Sequence, residues 1–403
     1  MNGSKKRGAR MYDHNHYIPM FLLRGFATET PKRKHKIKYV NTKENIVEFR
    51  NIFSTFWKSR LYDIPSSPDP KILEKLFGTV IENPVSSIIK RICGANDSHF
   101  SISRKELDVL KKYILIQNYR NPTNSYAYGN TINKEKFSFS GLFKSKDETD
   151  SDYWKREMRY ILEHDWDDIV KQIEMPGVKS AAQSIYQGYL TFFSTDDEFF
   201  LSDVPVFTER ISITIPKEKE EEFVKTAIEV NKNSGISLAQ LEENARREIR
   251  EKTSYLDNYS FMVLAPKLAV AVVDVIWKMK YLYGDIDFKL ESPILENPKN
   301  VRIPNNHFVN SDKIIDSNTL QKYKDPNDSY EYEIIKLNRL ETDHVMLLSL
   351  NETNALIAYK DNQSIIRQIG LYNHLRTSGV PNVKNDYSRT LEAILKYENG
   401  ELM

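Results

Sequence analysis

Imidazole, carboxylate, amide and guanidinium groups can together move protons and neutralise charge. Five such residues stand out along this chain: His16, Glu82, Gln117, Arg120 and Asp203. His16 lies in HNHYIPMFLLRGFA (14–27), a polar head that runs into Pro19 and then an apolar segment interrupted by Arg24. Pro19 fixes its own φ and biases Ile18 toward an extended conformation, which puts His16 at the mouth of a turn. Histidine titrates near neutral pH, so His16 can serve as a positioned acid/base; a half-buried structural histidine is the commoner use. Tyr113, Gln117 and Arg120 share one helix face at spacings of four and three. That stripe is either a solvent-facing surface or a polar wall holding an anion, because a guanidinium fork suits phosphate or carboxylate. Glu82 stands beside the helix-breaking Pro84, as a capping group or aimed into a cleft. Asp203, in SDVPV, is at a strand end and fits either a functional position or plain turn chemistry.

If these residues converge, His16 shuttles a proton, with Glu82 or Asp203 fixing its tautomer, and Arg120 neutralises a phosphate that Gln117 orients. The arrangement suits metal-independent phosphodiester cleavage, above all of RNA, whose 2′-hydroxyl can serve as the nucleophile. Lys32, Arg33 and Lys34, with Arg24 and Tyr113, would hold the substrate. No cofactor is expected. His14 and His16 could hold a metal, but no third ligand has telling spacing. Two other classes compete: a non-catalytic binding module whose five polar residues form a buried network, and a small-molecule enzyme in which Arg120 binds a nucleotide. A pocket open beside His16 and Arg120 favours an enzyme; a closed network favours the binding module.

The elements that must position these groups can be read from periodicity. Ile37–Phe49 reads as a hairpin. Leu73–Ile92 reads as a helix that Pro84 should kink or break just after Glu82. Ser103 and Glu106 form a capping box, so the helix carrying Tyr113, Gln117 and Arg120 starts there and stops before Pro122. Trp154–Ile173 reads as one amphipathic helix. Strands are expected at 190–206, 261–277 and 330–350, with a charged helical hairpin over 217–256 and helices near 363–376 and 388–398. The expected fold class is α+β: a helical N-terminal half packed on an antiparallel or mixed sheet, with the charged hairpin inserted. A basic tail (1–13) would precede one domain (14–403), comprising a helical subregion (70–180), a sheet region (187–350) and C-terminal helices (361–398).

The 403 residues carry 58 Lys+Arg against 56 Asp+Glu, so no global field drives the chain onto nucleic acid or membrane. One cysteine, Cys93, excludes an intramolecular disulfide. P-loop, dinucleotide-binding, kinase and nucleophile-elbow motifs are missing. No apolar run is long enough to span a bilayer, and a cytoplasmic protein is expected.

In their order, HYIPMFLLRGFA (16–27), the Glu of VIEN (80–83), QNYR (117–120), FFLSDVPV (199–206) and VLAPKLAVAVV (263–273) resemble a bacterial family filed as domain of unknown function 4238. The resemblance spans 16–273, with a weaker echo to about residue 370. It points to His16, Pro19, Glu82, Gln117, Arg120, Ser202, Asp203 and Pro205. Ala265-Pro266 stands where the family has Ser-Pro, and Val204 where it has Asn. The family implies no activity, although its members often look like defence-associated genes.

Overall fold

The computed structural model describes residues 14–30, 35–94, 98–120, 148–172, 176–211, 217–231, 236–253, 256–273, 329–380 and 383–401. The chain opens with a short strand, β1 (His14–His16), and a helix, α1 (Met20–Phe26), that buries Leu22, Leu23 and Phe26. β2 (Thr28–Glu29), β3 (His35–Asn41), β4 (Ile46–Asn51) and β5 (Trp57–Ser59) follow. Helix α2 (Ile72–Leu76) continues through a π-helical turn (Phe77–Glu82) into α3 (Asn83–Cys93). β6 (His99–Ser103) leads into α4 (Arg104–Arg120), which starts at the Ser103–Glu106 box: Ser103 N–H donates to Glu106 at 2.8 Å and Glu106 N–H to the Ser103 hydroxyl at 3.3 Å.

After α4 come α5 (Asp150–Glu163), α6 (Trp166–Gln172), α7 (Pro176–Gln187), β7 (Tyr189–Thr195), β8 (Leu201–Ser202) and β9 (Val206–Ile211). The charged segment forms α8 (Lys217–Asn231) and α9 (Leu238–Thr253), which bury Val224 and Ala245 in a small cluster of their own. β10 (Leu256–Ala265), β11 (Leu268–Val273), β12 (Ser329–Leu337), α10 (Arg339–Glu352), β13 (Leu356–Tyr359), α11 (Asn362–Thr377) and α12 (Ser388–Glu398) complete the described chain.

Among the described residues the strands form three sheets, which overturn the expectation of a helical N-terminal half on one sheet. β1 and β5 form a two-stranded ribbon. The six-stranded sheet runs β6-β12-β7-β11-β10-β9, antiparallel except for the parallel pair β7 and β12; the five-stranded sheet runs β2-β3-β13-β8 with β4 also on β3. Strands from both ends of the chain therefore interleave, and the first hundred residues feed all three sheets. Short strands such as His14–His16 carry too little alternation to be seen from sequence.

Other differences have local causes. Val345–Leu350 is helical, not a strand, because Asn338 and Glu341 form a capping box that starts α10. Trp154–Ile173 is not one helix: the chain breaks at His164–Asp165, and the Asp165 carboxylate accepts from Asp168 N–H at 3.0 Å to restart it. β7 and β8 belong to different sheets, so residues 190–206 do not contribute to a single sheet as expected. Instead of breaking the helix after Glu82, Pro84 is accommodated in the first turn of α3 behind the π turn.

β11 is buried along its whole length at the centre of its sheet. Gly188, between α7 and β7, lies so close to it that a Cβ would come within 2.7 Å of Val272 Cγ1. Among the described residues, no helix is long and apolar enough to cross a membrane.

Candidate functional site

The site grows from the β1–β5 ribbon. His16 pairs with Trp57, and the His14 ring stacks on Trp57 at 3.5 Å. β5 is flanked by Phe56 and Arg60 at φ +50° and +51°, a conformation that L side chains rarely adopt. It is tied down by Tyr17 N–H, which donates to the Phe56 carbonyl at 3.0 Å. Pro19 then caps α1, its carbonyl accepting from Leu22 and Leu23 N–H. The turn holds Tyr17 and Ile18 in the core and leaves His16 only 9% exposed.

Burial pulls the His16 pKa down to about 4, and the nearby Arg120 charge lowers it further, so the ring is neutral at neutral pH. A bond to the Ile52 backbone opposes this shift, which means that the ring donates it. The other nitrogen, Nε2, is buried and finds no hydrogen-bond partner among the described residues. Nε2 therefore presents a lone pair.

Arg120, the last residue of α4, is 1% exposed and joins three elements. Its Nη1 pairs with Glu82 Oε1 at 2.5 Å, Nη2 donates to the His16 carbonyl at 2.5 Å, and Nε donates to the Tyr62 hydroxyl at 3.1 Å. The Tyr62 hydroxyl donates in turn to the Arg120 carbonyl at 3.2 Å. The guanidinium also lies 4.4 Å from the centre of the Phe77 ring. Burial alone would lower its pKa; Glu82, with Tyr62 and Glu74 behind it, more than offsets this and keeps the cation charged.

Glu82 reaches Arg120 because it closes the π turn, whose wider ring re-aims the residues at its end; π turns recur at functional sites for this reason. Its side chain is 22% exposed, so solvent reaches the carboxylate while the guanidinium behind it is sealed. Glu74, on α2, is the second carboxylate acting on Arg120. It accepts from Asn15 Nδ2 at 3.1 Å, and burial raises its pKa against the lowering effect of Arg120.

One and two turns before Arg120 on α4 are Gln117 and Tyr113, both fully buried. Among the described residues, neither atom of the Gln117 amide nor the Tyr113 hydroxyl has a hydrogen-bond partner. The Tyr113 ring lies 5.8 Å from Phe21, and its hydroxyl feels the charges of Glu82 and Arg120. Burial raises the Tyr113 pKa well above that of an ordinary phenol, so it stays neutral.

The structure thus brings His16, Glu82, Tyr113 and Arg120 into one cluster, with Gln117 on the same helix face. Asp203 is placed elsewhere: its two oxygens accept from Asn354 and Ala355 N–H, each at 3.0 Å, and its own N–H donates to Leu356. It shapes the turn into β13 and acts on Tyr39 and Tyr387, not on His16. Burial raises its pKa to about 6. Ser202 Oγ donates to the Val204 carbonyl in the same turn. Arg24 is exposed on α1, and Lys32, Arg33 and Lys34 lie outside the described residues. Among the described residues, no group of three or more His, Cys, Asp or Glu could hold a metal. Sequence reasoning missed Asn15, Tyr62 and Glu74: Asn15 sits inside HNHYIPMFLLRGFA with no role assigned to it and bonds Glu74, while Tyr62 and Glu74 bear no motif and meet Arg120 only through the fold.

No curated protein and no solved structure matches the chain. A family described as "Protein of unknown function (DUF4238)" matches residues 14–226, which include His16, Glu82, Gln117, Arg120 and Asp203. That match stops within α8 and leaves out VLAPKLAVAVV (263–273). The chain belongs to the DUF4238 family.

Proposed function

We propose that the chain acts on a small polar substrate received by His16, Tyr113 and Gln117, with Glu74 and Glu82 as the proton-transfer pair. The observation that carries this reading is the set of buried polar atoms on those three residues without a partner among the described residues. Leaving such a group unsatisfied costs about 1–3 kcal/mol, and a site that must pair with a ligand is the physical reason to keep several together. Glu74, its pKa raised by burial, is placed to give a proton, and the salt-bridged Glu82 to accept one.

Cleavage of RNA by an effector of defence or toxin type has less support. Arg120 has Nε, Nη1 and Nη2 committed to Tyr62, Glu82 and the His16 carbonyl, so a phosphate would have to displace Glu82. A histidine with a pKa near 4 is also a weak proton shuttle at neutral pH. The reading as a non-catalytic network is favoured by the three bonds of Arg120, which fasten β1, the π turn and α4, and by how closed the cluster is, with Arg120 1% and His16 9% exposed. It leaves the unpartnered groups without a role.

A thermal-shift panel of sugars, amino acids, nucleobases and nucleosides tests the proposal, with labelled total RNA as a cleavage arm. The expected result is that one class raises the melting temperature of the wild-type protein but not of Gln117→Leu. No shift from any class, together with RNA cleavage that is lost in His16→Ala, would overturn it.

A further inference from the structure

β4 closes one side of the five-stranded sheet. Lys38 of β3 pairs with Phe49 of β4 and, across its other edge, with Tyr359 of β13; Lys36 pairs likewise with Asn51 and with Thr28 of β2. β2 and β13 therefore share the far edge of β3, and among the described residues no strand pairs with the outer edge of β4. Such an edge offers a row of backbone N–H and C=O groups to another chain, and proteins commonly blunt it with lysine, proline or a bulge. β4 reads IVEFRN, with neither lysine nor proline, and its register with β3 is unbroken. Apolar side chains line it: Ile46, Phe49 and, in the turn that follows (Ile52–Ser54), Phe53 are 43%, 37% and 49% exposed.

The strand is also complementary to itself. Two identical strands related by a two-fold axis pair antiparallel only with that axis normal to the sheet, and one residue then faces its own copy. Centring on Glu48 sets two carboxylates opposite one another, and centring on Arg50 two guanidinium groups, both destabilising. Centring on Val47 or Asn51 shortens the overlap. Centring on Phe49 pairs Val47 with Asn51, sets Glu48 opposite Arg50 on both sides of the axis, and brings the two Phe49 rings together. Ile46 then falls beside the turn that carries Phe53.

We infer that β4 pairs antiparallel with β4 of a second copy of this chain, centred on Phe49, so that the two five-stranded sheets continue as one. Within one copy Arg50 bonds Glu48 of its own strand and lies over the Tyr39 ring at 5.0 Å. Pairing exchanges that bond for the same bond across the axis, so the charges set the register while backbone bonds and apolar side chains supply the affinity. One short strand buries less surface than a permanent dimer interface, which makes the association reversible.

Sedimentation velocity of the full chain over about a hundredfold range of concentration tests this. The mass should rise from that of one chain to that of two. Glu48→Arg and Arg50→Glu should each weaken association at least about tenfold, because each sets like charges across the axis. The double exchange Glu48→Arg/Arg50→Glu restores opposite charges and should restore the dimer. Phe49→Asp sets two carboxylates on the axis and should leave a monomer. Thermal melting of every variant separates a fold defect from a lost interface, since breaking the bond within one strand lowers a melting temperature without changing the mass. A single-chain mass at every concentration, association untouched by the single changes, or a folded double exchange that stays monomeric would each overturn the inference.

Discussion

Replacing Arg120 by methionine separates the residue that fastens the site from those that receive a ligand. Methionine fills much of the space but removes the bonds to Glu82, to the His16 carbonyl and to the Tyr62 hydroxyl. Breaking a buried ion pair costs about 3–5 kcal/mol, chiefly because it strands the partner charge. Glu82 keeps 22% exposure and can rehydrate, which places its share at the lower end. The sealed His16 carbonyl cannot rehydrate as easily, and an unpaired buried acceptor costs about 1–3 kcal/mol. Part of that is recovered by burying an apolar side chain, so the net loss should be about 3–4 kcal/mol. Arg120→Lys keeps the charge but not the fork and should lose roughly half as much. Urea unfolding followed by both fluorescence and circular dichroism measures this. A loss below about 1 kcal/mol for Arg120→Met would refute the claim that Arg120 ties β1 to α4, since exposed and redundant pairs fall in that range.

The remaining predictions concern titration and packing. Asp203, held near pKa 6 by burial against about 3.9 unfolded, binds more protons in the native state between those values, so its contribution falls as pH rises from about 4 to 6. His16, held near 4 against about 6.5 unfolded, does the opposite: its contribution is complete above about 6.5 and is lost as pH falls through 4. The two slopes oppose one another in the wild type, so Asp203→Asn should tilt the urea midpoint upward with pH and His16→Leu should tilt it downward; unchanged slopes would contradict the placement of both groups. NMR titration of the His16 ring should give a midpoint near 4 that rises in Arg120→Met but stays below 6.5, because burial is the larger cause. Gly188→Ala should cost about 1–3 kcal/mol through overpacking, because its Cβ would meet Val272 Cγ1 at 2.7 Å and the Ser184 and Val273 carbonyls at 2.8 Å; a neutral result on urea unfolding would show that β11 yields there.

What could be read from the sequence follows how local the signal is. The Ser103–Glu106 box names the start of α4, and spacing alone sets Tyr113, Gln117 and Arg120 on a common face. The same logic applied to Asn338 and Glu341 would have found α10, but the apolar run Val345–Leu350 drew attention to a strand. Pro84 was visible as a disturbance. That the chain would answer it with a π turn, and so aim Glu82 at Arg120, depends on packing three elements away. Asp203 was legible as turn chemistry as well as a site residue, and its bonds to Asn354 and Ala355 favour the turn. Glu74 and Asn15 could not be singled out, because nothing in their spacing relates them to Arg120, which lies 46 and 105 positions further along the chain.

The central claim is that Tyr113 and Gln117, buried and without a partner among the described residues, are kept for a ligand and not for the fold. The urea midpoint of the Tyr113→Phe/Gln117→Leu double variant without any ligand tests it most directly. Replacing unsatisfied polar groups with apolar ones of similar size removes a desolvation penalty, so the midpoint should hold or rise, with an unchanged slope. A loss of about 2 kcal/mol or more would mean that these groups bond within the fold, and would contradict the account.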